Sequence, residues 1–71
     1  MVVEFLPEGF ELTGKTGIFL ETAVASRFIL AVYGYDGLAG EMRIGHVNSD
    51  SKEELQVFAD LHGINVVSKS R

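Results

Sequence analysis

The sequence Gly9-Phe10-Glu11-Leu12-Thr13-Gly14-Lys15-Thr16 satisfies the spacing G-x-x-x-x-G-K-[ST]. In a phosphate-binding loop that spacing has a physical purpose. Backbone amides cradle the phosphates, the lysine neutralises them and the hydroxyl holds magnesium. Gly14, Lys15 and Thr16 would form such a site, and Asp36 ends an apolar run where a magnesium-holding aspartate could stand. The chemistry also needs a strand before the loop, a helix after it and a parallel sheet around it. A chain of 71 residues cannot build that sheet with both faces covered. Phe10 and Leu12 are too bulky for close wrapping, and Glu11 would repel the ligand. The favoured reading of Gly14-Lys15-Thr16-Gly17 is therefore a turn. Phosphate or nucleotide binding at Gly9–Thr16 is the alternative, and no cofactor is expected.

A second cluster, His46-Val47-Asn48-Ser49-Asp50-Ser51, holds an imidazole, an amide, two hydroxyls and a carboxylate. Those groups could make a Ser/His/Asp arrangement or present helix amides to an anion. Helix capping by Asn, Ser and Asp is the simpler account. His46 then reads as a half-buried strand residue and His62 as a cation at a helix C-terminus. Glu4, Glu8, Glu11 and Glu21 make the N-terminal third acidic, but no spacing among them forces a catalytic carboxylate pair. No catalytic residue is assigned. A cysteine-based metal site is excluded because the chain has no cysteine, and two histidines make an imidazole cage unfavourable.

The elements that must position these residues follow from pattern. Met1–Leu6 reads as a short strand, Pro7-Glu8-Gly9 as a turn, and Phe10–Thr13 alternates. Residues 18–27 fit either a strand or a helix. Phe28–Tyr35 is nearly unbroken in β-branched, aromatic and long apolar residues, the mark of a strand covered on both faces. Asp36–Gly40 reads as a hairpin loop and Glu41–Val47 as a strand with one wet face. Ser51 with Glu54 three residues on forms a capping box, and Glu53 and Glu54 suit the positive end of the helix dipole. Leu55, Phe58, Ala59 and His62 make one helical stripe, widened by Val57 and Leu61, and Gly63 is the expected left-handed stop. Ile64–Ser68 completes a last strand. The sum is one α+β domain over residues 1–71. It has an antiparallel sheet of four to five strands, with one helix at about 51–62 packed on one face.

Phe28, Leu30, Val32 and Gly34 alternate with Ile29, Ala31, Tyr33 and Tyr35, so the strand sends apolar groups to both faces. One helix covers only one of them. Ile29, Tyr33 and Tyr35 are thus the expected interface, and a homodimer is the expected assembly. Net charge is −4, from ten acidic against six scattered basic residues. That balance disfavours direct nucleic-acid binding. No apolar run is long enough to span a bilayer, and no secretory leader is evident, so a cytoplasmic location is expected. The leading function is a small non-enzymatic protein-binding or regulatory module of the inhibitor or adaptor type. An accessory protein of a virus or mobile element has this character. An acidic nucleic-acid mimic is the third reading.

Overall fold

The computed structural model describes residues 2–9, 11–20, 27–36 and 40–67. Five strands and one helix follow along the chain: β1 (Val3–Phe5), β2 (Thr16–Leu20), β3 (Phe28–Asp36), β4 (Gly40–Ser49), α1 (Lys52–His62) and β5 (Asn65–Val67). The strands form one sheet in the order β1-β4-β3-β2-β5. The expected α+β class, with one helix against a largely antiparallel sheet, is what the chain adopts. Of the undecided residues 18–27, Ile18 to Leu20 are strand, and 21–26 lie outside the described residues. The tip of the hairpin loop, residues 37–39, lies outside them as well. No described helix is long and apolar enough to cross a membrane.

The consecutive strands β2, β3 and β4 form an antiparallel meander, and β1 joins β4 antiparallel. β5 pairs parallel with β2. In a meander β2 and β4 point the same way, so β4 and β5 are parallel too. Parallel strands cannot be joined by a tight turn. The connection is α1, carried over β3 and β2 to the opposite edge. Its packing against β3, β4 and β5 places the core there: Leu30, Val32 and Val47 from the sheet, Leu55, Phe58 and Ala59 from the helix, and Ile64 beyond it.

Local chemistry fixes both ends of α1. Ser51 Oγ accepts from the Glu54 amide at 3.3 Å. Gly63 is left-handed at φ 70°, and the Ile64 amide folds back to Ala59 O at 2.9 Å. Two expectations change. Gly17 is not in a turn: it lies buried within β2, where a Cβ would come within 2.9 Å of Ile64 Cγ2. Val57 and Leu61 do not widen the buried stripe, being 56% and 79% exposed. The sheet beneath that flank ends at β1, so their arc of the helix has no strand to pack on.

The strands β3 and β4 are longer than the rest, at nine and ten residues. Their pairing shifts register between Val32 and Tyr33, where Val32 meets Gly45 but Tyr33 meets Arg43. Ile44 is the extra residue of that bulge. It packs against the core rather than alternating outward.

Candidate functional site

The Gly9–Thr16 segment is built as a clamp on the helix end. The Gly14 amide donates to Gly63 O at 2.8 Å, the Lys15 amide to Leu12 O at 3.0 Å, and the Asn65 amide to Lys15 O at 2.8 Å. Thr13 Oγ1 donates to the His62 carbonyl at 3.4 Å. The amides of Gly14 and Lys15, two that a phosphate would require, are thus engaged within the fold. The chain then continues as strand β2 from Thr16, with no helix N-terminus to face an anion. Phe10 lies outside the described residues.

The sheet itself separates the residues of the His46–Ser51 cluster. His46 pairs with Phe5 and Ala31 on the face away from α1, and its ring lies 4.9 Å from that of Phe5. Asn48 shares that face and accepts from Arg27 Nη2 at 2.6 Å. Ser49 has the opposite orientation. It is fully buried, donates from Oγ to Glu54 Oε1 at 2.6 Å and accepts from the Ser51 amide at 3.0 Å. Ser49 therefore links the strand end, the cap and the first helical turn; the sequence pattern assigned helix capping to Asn48–Ser51 as a group, and Asn48 takes no part in it, holding Arg27 instead. The carboxyls of Asp50 and Glu54 titrate below the ordinary carboxylate value. The amino terminus is the largest cause for each, and the Ser49 hydroxyl is the next for Glu54. His46 and Ser49 on opposite faces make no nucleophile–base pair. Among the described residues, no three His, Asp or Glu side chains gather as a metal site.

What the sheet does assemble is a surface. Directly paired residues share a face. Away from the helix the pairings draw a continuous row across all five strands, Phe5, His46, Ala31, Ile18 and Val67. A second row runs Val3, Asn48, Ile29 and Leu20, and a third joins Asn65, Thr16, Tyr33 and Arg43. Ile29 and Tyr33 sit in the middle, half-buried, while Tyr35 is 81% exposed near the hairpin end. No described helix or strand packs over this face.

The same rows show what sequence reasoning missed. Phe5 is 57% exposed and Val67 45%, so the two edge strands extend the apolar surface at both margins. Glu41, paired with Tyr35 at the far end of the hairpin, is the one described carboxylate that the register assigns to this face. Comparisons with protein-family models, with curated proteins and with solved structures find no match.

Proposed function

We propose that the chain is a small non-enzymatic protein-binding module, of the inhibitor or adaptor type, that works as a homodimer through the open face of its sheet. The observation that carries this reading is the character of that face. In a chain with ten acidic residues, its three rows hold no carboxylate: Thr16, His46, Asn48 and Asn65 are their polar groups, Arg43 and the Arg27 held by Asn48 bring positive charge, and the rest are aliphatic or aromatic. A second copy can stack there without carboxylate repulsion.

Size agrees. The molecule's 36 × 29 Å outline encloses on the order of 1,000 Å², and a stable interface needs about 800 Å² per partner. Ile29, Tyr33 and Phe5 supply the aliphatic and aromatic groups that anchor such contacts. The separation of His46 from Ser49, together with the inward use of the Gly14 and Lys15 amides, supports binding over catalysis.

Sedimentation equilibrium tests the assembly. A dimer mass is expected at micromolar concentration, with a melting temperature that rises with protein concentration. Tyr33→Glu places a charge centrally, and Phe5→Glu places one at a margin where the ring is 57% exposed; both should give folded monomers, with circular dichroism verifying the fold. A monomer mass for the unaltered protein at high micromolar concentration would refute the reading.

A further inference from the structure

Beyond the open face, one edge of the molecule is unfinished in two separate ways. β1 ends the sheet, and no described strand pairs with its outer side. Directly above that edge, α1 carries Val57 and Leu61, 56% and 79% exposed. At about 100° per residue, Glu53, Val57, Leu61, Glu54 and Phe58 form one continuous arc of the helix. That arc and Val2 line a groove of about 400 Å³ beside β1. An open backbone edge and an unpacked helix flank over the same edge have a common explanation: a sixth strand belongs there.

We infer that this groove takes an extended, basic segment of a partner protein, which adds to β1 as a further strand and tucks its helix-facing side chains under α1. The inference rests on the protein-binding reading above and names the partner's chemistry. Strand addition supplies main-chain hydrogen bonds, while alternate side chains fill the pocket. Charge decides between candidate occupants. Glu4 points to the helix side in the row Glu4, Val47, Leu30 and Phe19. Glu53 lines the groove above it, while the Glu54 carboxylate beside it is already engaged by the Ser49 hydroxyl. A second copy adding its own β1 would set Glu4 close to Glu4, and like charges across a strand pair are destabilising. A segment with lysine or arginine opposite Glu4 and apolar residues two positions to either side meets every group of the groove. The site is separate from the dimer face, so both can be occupied together.

The probe is a synthetic peptide of the pattern Val-Thr-Lys-Thr-Val, which sets one lysine between two valines on the same face of the strand, titrated into isotope-labelled protein and followed by NMR. Binding should shift the methyl signals of Val57 and Leu61 and slow amide exchange within Val3–Phe5. A peptide N-methylated at alternate residues cannot form the ladder and should bind at least about tenfold more weakly, as should a glutamate-for-lysine peptide. Leu61→Asp should abolish binding. Leu61 is 79% exposed, so this variant retains the fold, which its spectrum verifies. Equal binding of the N-methylated or glutamate peptide, binding unchanged in Leu61→Asp, or shifts confined to the open sheet face would overturn the inference. So would the absence of any shift at millimolar peptide. Tyr33→Glu must bind the peptide as the unaltered protein does. Unaltered protein that is monomeric yet binds the peptide would fail the dimer and keep this site, and unaltered protein that is dimeric yet does not bind would do the reverse.

Discussion

Ser49→Ala is the most informative single change for the architecture. It removes a buried hydroxyl that holds two partners. One is the Ser51 amide at 3.0 Å, the other the Glu54 carboxylate at 2.6 Å. Glu54 is exposed, and water replaces its lost bond at little cost. The Ser51 amide is half-buried and has no such replacement, so the loss approaches the cost of an unsatisfied buried donor, about 1–3 kcal/mol. With partial access to water the lower half applies, about 1–2 kcal/mol, or roughly 4–16 °C in Tm for a domain this small. Ser51→Ala removes only the cap bond, which at 3.3 Å is the longer, and should cost about 1 kcal/mol or less. Because Ser49, Ser51 and Glu54 share one network, the double variant should fall short of the sum by about 0.5 kcal/mol or more. Urea denaturation followed by far-ultraviolet circular dichroism, at one fixed protein concentration, measures all three. If Ser51→Ala proves more costly than Ser49→Ala, or the two add, the hub role of Ser49 is wrong.

The helix gives two more tests by the same assay. Gly63→Ala should lose about 1–2 kcal/mol, since its Cβ would enter the left-handed region at φ 70° and come within 3.2 Å of Thr13 Cγ2. A neutral result would remove the left-handed stop. Leu55→Ala, at a fully buried position, should lose about 2–5 kcal/mol, whereas Leu61→Ala should stay within about 0.5 kcal/mol of the unaltered protein. Similar losses at the two sites would mean that the sheet extends under the whole helix.

What was legible in the sequence was local. Ser51, Glu54 and Gly63 are neighbours in the chain, so the helix ends could be read from capping rules. Phe28–Tyr35 announced its strand through residue type, and simple alternation placed Ile29 and Tyr33 on the face away from the helix. The rest depends on pairings between distant residues. Helical periodicity defined an arc that includes Val57 and Leu61, but where the arc loses its cover depends on the position of β1. Phe5 joins the open face only because it registers with His46, and Val67 only because β5 crosses to β2. Nothing near Ser49 marks it as buried, since a serine before a helix is usually read as one more capping candidate. Gly17 reads as a turn residue until Ile64 arrives from the other end of the chain to lie against it.

The placement of β5 beside β2 also sets the order in which the protein can be made. Strands β2, β3 and β4 are sequence neighbours and can zip as a meander from local encounters. β1 and β5 must search across most of the chain, Phe5 for His46 and Val67 for Ile18. Closing such long loops is the slow part of folding a mixed sheet. β5 has a further requirement: its strand partner and Ile64's seat on Gly17 are reached only after α1 has been laid across the sheet. The two edge strands are therefore the last to join and the first to leave. Native-state hydrogen exchange should resolve them as units that open below the global free energy, around a meander that exchanges only when the whole domain unfolds.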